Sequence, residues 1–148
     1  MIYQTITILV GLISLVRADC PAVIGRDEWG ARDSVNPLQS INKIVDYAII
    51  HHSATPNCYD KQNCTRYVKS FQNFHIDERK WDDIAYNFVV GEDGNVYEGR
   101  GWNKIGSHSP VFNNRSIGIC VIGNFMTIQP TKKVLDVVKQ LLECSVEL

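Results

Sequence analysis

One stretch constrains the fold of this chain more than any other: Val45-Asp46-Tyr47-Ala48-Ile49-Ile50-His51-His52-Ser53-Ala54-Thr55. An apolar, β-branched run ends abruptly in two adjacent histidines and three small residues. Such side chains pack well on a pleated surface, so the run reads as a buried strand at about 44–52. A strand that ends in titratable groups delivers them to the rim of a sheet, where sites are commonly built. Successive strand side chains point to opposite faces. His51 and His52 therefore cannot both face one pocket: one is expected to serve a site, the other to pack or cap. The bland alternative is a pair of structural histidines at a strand end.

At 148 residues the chain is expected to form one domain with a real core. The formal net charge of −1 argues against nucleic acid as a partner and against a polybasic membrane anchor. Residues 1–18 read as a secretory signal peptide, with the domain proper at 19–148. Ile6 to Val16 is mostly apolar and uncharged, and Val16-Arg17-Ala18 offers small or apolar residues at the −3 and −1 positions of a cleavage site. The run is too short for a membrane span, so none is expected after cleavage. The alternative is an uncleaved anchor. Removal of 1–18 takes away Arg17 and leaves 14 basic against 16 acidic residues. The reading places the protein outside the cell.

A secreted chain favours disulfides. The five cysteines are Cys20, Cys58, Cys64, Cys120 and Cys144. Cys58 and Cys64 bracket a short polar loop and suit a local bridge. Cys120 lies in Ser116-Ile117-Gly118-Ile119-Cys120-Val121-Ile122-Gly123, a buried-strand pattern in which a free thiol behaves as a small hydrophobe. That leaves Cys20 with Cys144, a long closure that would stabilise by roughly 4–5 kcal/mol on the chain-entropy view. Four cysteines permit three pairings, so spacing alone does not prove this one. Asn63-Cys64-Thr65 and Asn114-Arg115-Ser116 are glycosylation sequons. The first contains a cysteine expected to be bridged, which favours the second.

Along the chain, Asp27 is expected to cap a short helical turn that Gly30 stops, with Trp29 as a packing anchor. Residues 33–43 read as a loop. Residues 64–78 read as a helix capped by Thr65, because Tyr67, Val68, Phe71 and Phe74 form one apolar stripe. His75 falls at its C-terminal end, where a cation is favoured. Tyr86-Asn87-Phe88-Val89-Val90 and Asn95-Val96-Tyr97-Glu98 flank Gly91-Glu92-Asp93-Gly94, a hairpin signal. A loop at 104–115 holds His108, Asn113 and Asn114. After a strand at 116–122, Pro130 is expected to open a helix whose apolar face is Val134, Val137, Val138, Leu141 and Leu142. The pattern is mixed α/β: a central mixed β-sheet flanked by helices.

The chemistry available comes from His51 or His52, His75, Tyr86, Arg100 and His108, with Trp81 and Trp102 near in sequence. A zinc hydrolase needs three protein ligands and an open position for water. Alternation supplies one histidine from the 51/52 pair, and no spacing identifies two more.

Five motifs occur together: Glu28-Trp29-Gly30-Ala31-Arg32, Ile49-Ile50-His51-His52-Ser53-Ala54, Trp81 to Gly91, Asp93 to Asn103, and Asn114-Arg115-Ser116-Ile117-Gly118-Ile119. In combination they resemble the short, secreted, insect-like peptidoglycan recognition proteins from about residue 20 to the C-terminus. The resemblance supports the pairings Cys58–Cys64 and Cys20–Cys144. It implies the fold of the zinc-dependent N-acetylmuramoyl-L-alanine amidases, which cut the bond between muramic acid and the first alanine of the stem peptide. By resemblance, His51 matches the first zinc ligand, and Tyr86 the tyrosine that assists the zinc-bound water or steadies an oxyanion. His51, His75, Lys80, Trp81, Tyr86, Arg100, His108 and Asn113 match a groove that holds bacterial peptidoglycan or a muropeptide. Trp81 and Arg100 lean toward the diaminopimelate type, whose extra carboxylate Arg100 would pair; Lys80 stands where such members often carry glycine.

The resemblance also exposes departures. The family's second zinc histidine and its cysteine ligand lie in a C-terminal segment that this chain does not include, along with the last strand and helix. The chain as written is therefore expected to bind no zinc tightly and to recognise peptidoglycan in innate immunity without cleaving it, with immune-signalling proteins as possible partners. The alternatives are a zinc amidase of which this is an incomplete form, where zinc would be the cofactor, and a truncated isoform that folds poorly.

Overall fold

A computed structural model describes residues 20–145. The proposed signal peptide at 1–18 and the final residues 146–148 lie outside the described residues. The elements run β1 (Val23–Ile24), α1 (Arg26–Trp29), β2 (Tyr47–His52), α2 (Lys61–Asn73), a π-helical turn (Phe74–Glu78), β3 (Phe88–Val90), β4 (Val96–Glu98), a 3-10 turn (Asn113–Arg115), β5 (Ser116–Val121) and α3 (Lys132–Ser145). The five strands form one mixed sheet in the order β1-β4-β3-β5-β2. Only β3 and β4 are antiparallel, pairing Phe88 with Glu98 and Val90 with Val96 across the predicted turn. Strands β2 and β3 flank β5 in parallel, with Tyr47 opposite Ser116 and Phe88 opposite Ile119.

The two-residue period of the strands sorts the core into two layers. Val89, Tyr97 and Cys120 point to one side and pack with Trp29, Val68 and Ile84 under α1 and α2. Phe88, Val90, Val96, Ile117, Ile119 and Val121 point to the other, against Val134, Val138 and Leu141 of α3. The expected architecture of a central mixed sheet between helices is the one observed.

Several local expectations need correction. Strand β2 forms as predicted, but it is the edge of the sheet rather than a buried strand, with Tyr47 46% and Ile50 51% exposed. A β-branched run is equally at home on an edge strand, so composition cannot separate the two. Helix α2 starts at Lys61, and its cap is Asp60, whose side chain accepts from the Asn63 amide at 2.8 Å, rather than Thr65. Its last predicted residues widen into the π-helical turn. In α1 the cap position is Gly25, whose amide donates to Glu28 Oε1, and Asp27 does not cap. Gly30 does stop it, in the left-handed region at φ 68°. Helix α3 begins at Lys132, two residues beyond Pro130, and the preceding Thr131 amide donates to the buried Glu92 carboxylate at 3.2 Å.

Both expected disulfides are present, Cys20–Cys144 and Cys58–Cys64, and Cys120 is the buried free thiol. Trp29 is fully buried, and its indole Nε1 donates to the Glu98 carbonyl at 2.8 Å.

Candidate functional site

The end of β2 separates its two histidines as alternation requires. His52 turns away from the site and caps: its Nδ1 accepts from the Phe125 amide at 3.0 Å. His51 turns toward the loop before β5, where its Nε2 lies 3.0 Å from His108 Nδ1. One imidazole donates to the other, which requires both rings to be neutral or one shared proton between them. Burial lowers the basicity of His51. Burial, with smaller contributions from His51 and Arg100, brings His108 down to about 4. Both rings are therefore neutral at pH 7.

His108 is held by its own loop. Asn113 Oδ1 accepts from the His108 amide at 2.9 Å and the Ser109 amide at 2.7 Å. The expected wall residue Asn113 thus spends its carbonyl oxygen on positioning His108. Room for the imidazole comes from Gly118 in mid-β5: a Cβ there would sit 2.3 Å from His108 Cδ2. A glycine inside an apolar strand pattern signals such a close approach.

Tyr86 stands between two histidines, its ring centroid 5.5 Å from that of His51 and 5.8 Å from that of His75. Burial first, with the neighbouring Cys120, raises the phenol above its ordinary range, and burial raises the Cys120 thiol to about 12. Neither ionises near neutrality, so Tyr86 acts here as a neutral hydrogen-bonding group.

His75 leaves α2 through the π-helical turn and is only 8% exposed. Its ring stacks on Trp81 at 5.0 Å with 14° between the planes, and its Nδ1 accepts from the Ala85 amide at 3.1 Å. Burial first, then Arg100 and Arg79, lower its pKa to about 4. The helix end favours a cation, but burial above all, then Arg100 and Arg79, favours the neutral ring, and that form accepts from Ala85.

Lys80 is exposed, adopts φ 60° and donates to the Asp77 carbonyl at 2.6 Å. Beside it the Arg79 guanidinium lies over Phe74 at 5.4 Å and Trp81 at 6.0 Å. Arg100 reaches back into the fold. Its Nε donates to the Ile84 carbonyl at 2.6 Å, and its terminal nitrogens donate to Ile105 at 2.8 Å and Asp83 at 3.4 Å.

The structure thus brings His51, His75, Trp81, Tyr86 and His108 into one chain of ring contacts and sets Lys80 on its exposed margin. Arg100 and Asn113 face carbonyls and amides of the site's own loops. Sequence reasoning passed over Asn87, fully buried and bonded three ways: Nδ2 to the Gly101 and Lys104 carbonyls, both at 2.8 Å, and Oδ1 from the Gly118 amide at 2.9 Å. An asparagine between Tyr86 and the apolar residues of β3 was the available signal. Also passed over was buried Asp83, which accepts from Gln72 at 2.6 Å and pairs with Arg26 at 2.9 Å. It braces the loop that carries Trp81.

His51 and His108 are two imidazoles, and among the described residues no three His, Cys, Asp or Glu side chains gather as metal ligands. A catalytic zinc needs three protein ligands. The described donors do not fit that ion by themselves.

The fold and this ring cluster define a class. Residues 41–148 match the family model of the N-acetylmuramoyl-L-alanine amidases. Peptidoglycan-recognition protein 2 of Holotrichia diomphalia is 42% identical over 135 residues, covering 91% of this chain and 72% of that protein. The crystal structure of bumblebee PGRP-SA superposes with a TM-score of 0.84 at 39% identity, covering 86% of this chain and 76% of that one. Peptidoglycan recognition protein LE, solved with tracheal cytotoxin, a monomeric diaminopimelic acid-type peptidoglycan, gives 0.84 at 41% identity, covering 85% and 74%. This chain belongs to the peptidoglycan-recognition proteins of the N-acetylmuramoyl-L-alanine amidase family.

Proposed function

We propose that this chain is a secreted recognition protein of innate immunity. It binds the muramyl stem peptide of bacterial peptidoglycan at the surface formed by His51, His75, Trp81, Tyr86 and His108. Lys80, Arg100 and Asn113 complete its margins. The observation that carries the reading is the meeting of these five rings, drawn from β2, the π-helical turn, the 81–86 loop and the loop before β5. Stacked aromatic faces hold the apolar faces of sugar and peptide, while neutral imidazoles both donate and accept. The tracheal cytotoxin bound to protein LE supports the ligand class. Two disulfides and the apolar leader support secretion. Among the described residues no helix is long and apolar enough to cross a membrane.

A preference for the diaminopimelate type rests on Trp81 and on the two N–H donors of Arg100 that its three carbonyl contacts leave. Immune-signalling proteins are the partners this role implies. Co-sedimentation with insoluble peptidoglycan tests the reading. The wild type is expected to pellet with the polymer, and more with the diaminopimelate than with the lysine type. Trp81→Ala should weaken retention about tenfold, or ~1.4 kcal/mol. Wild-type retention by a folded Trp81→Ala would remove the site, and no retention on either polymer would remove the function. Equal retention on both removes the preference.

The amidase reading is favoured by the family fold and by His51 lying beside Tyr86. It requires hydrolysis of the muramic acid–alanine amide that a zinc chelator abolishes.

A further inference from the structure

The two sequons are not equivalent once folded. Asn63 lies in the first turn of α2, where its Nδ2 donates to Asp60 and its Oδ1 accepts from Arg66. The middle residue of that sequon, Cys64, is buried and bridged to Cys58. Asn114 is exposed on the 3-10 turn ahead of β5, and its carboxamide has no hydrogen-bond partner among the described residues. A branched glycan at Asn63 would displace both side-chain bonds of the α2 start, whereas one at Asn114 displaces none.

Phe112 gives a second, independent observation. It stands two residues before Asn114, is 37% exposed, and meets Tyr47 edge-on, with ring centroids 5.5 Å apart at 86°. Its neighbour Val111 is 79% exposed. A pyranose ring has one face of C–H groups that stacks on an aromatic ring, and a sugar on Asn114 starts within a few bonds of one.

We propose that Asn114 carries an N-linked glycan whose first N-acetylglucosamine packs on Phe112; this rests on the reading that the protein is secreted. The reaction takes a lipid-pyrophosphate oligosaccharide as donor. Asn114 Nδ2 forms a bond to the anomeric carbon, the bond from that carbon to the pyrophosphate oxygen breaks, and the amide gives up one proton. The sugar then covers part of an apolar surface, Val111, Phe112 and Tyr47, at the start of the edge strand.

The test expresses the full chain in a eukaryotic secretory cell, once with its own residues 1–18 and once behind an established secretory leader. The medium is treated with peptide N-glycosidase, which leaves aspartate where a glycan stood, and peptides are mapped by mass. The mark is expected at Asn114 and not at Asn63. An unmarked Asn114 in protein secreted behind the established leader overturns the proposal, as does a mark at Asn63 alone. If only that version is secreted and it carries the mark, the targeting role of 1–18 fails and the glycan site stands. For the Phe112 contact, enzymatic removal of the glycan should lower Tm by a few degrees in the wild type and not in Phe112→Ala. An equal drop in both overturns that contact.

Discussion

His75 makes the pH dependence of this fold calculable. Its Nδ1 accepts from the Ala85 amide, so the neutral ring is the form that fits, and its pKa falls from the ordinary 6.5 to about 4. The cause is burial, reinforced by Arg100 and Arg79 and opposed by Asp83. A folded-state pKa below the unfolded one means the unfolded chain takes up the proton first. The stabilising contribution is therefore complete above about pH 6.5, declines as pH falls, and is gone below about 4. At roughly 1.4 kcal/mol per pKa unit, the whole effect is about 3 kcal/mol, of which about 2 kcal/mol is lost between pH 7 and pH 5. The perturbation is His75→Asn, whose carboxamide oxygen still accepts from Ala85 and does not titrate. Urea unfolding of both proteins at pH 7 and pH 5 gives a double difference in which the remaining titrating groups cancel. The wild type should lose about 2 kcal/mol more than the variant over that interval. Equal losses would refute the argument, and so would an NMR titration that placed the His75 ring near 6.5.

Three further outcomes follow from contacts of different kinds. Lys80 holds φ 60°, a left-handed conformation that costs a side chain about 1 kcal/mol, so Lys80→Gly should raise stability by a few tenths to 1 kcal/mol in chemical denaturation; a loss would mean that the Lys80–Asp77 bond outweighs the strain. Asn87→Ala leaves the Gly118 amide and two carbonyls unbonded in the interior and should cost about 2–4 kcal/mol by the same assay, with a cost below about 1 kcal/mol contradicting the network. Replacing both Cys58 and Cys64 with serine should cost roughly 2 kcal/mol from the released loop, read as a lower Tm, and an unchanged Tm would count against the bridge as a stabiliser.

Features that depend on the period of the backbone were readable in the residues. The runs 86–90 and 95–98 with glycines at 91 and 94 became the β3–β4 hairpin. The alternation of 116–122 became a strand with helices over both faces. The same rule divided His51 from His52. Features that depend on which distant groups arrive were not readable. The neutrality of His75 comes from burial under the folded chain, from Arg100 twenty-five residues on, and from an amide ten residues on. The exposed flank of β2 comes from strand order, which its own composition does not encode. Arg100, singled out by its charge as a ligand group, is aimed by the carbonyls of Ile84 and Ile105, which no residue pattern advertises. Asn87 was missed for the complementary reason: its three partners lie up to 31 residues away.

The parallel register of β2 on β5 sets a clock for biosynthesis. Tyr47 pairs with Ser116, 69 residues later in the chain. At 5–20 residues per second, β2 leaves the ribosome roughly 3–14 s before its partner exists. During that interval Ile49 and Ile50 lack their partner strand, and His51 lacks the ring that fixes its orientation. Long-range parallel pairing is intrinsically slow to form. The His51–His108 contact is therefore assembled late, after β2 has waited for β5 to be synthesised.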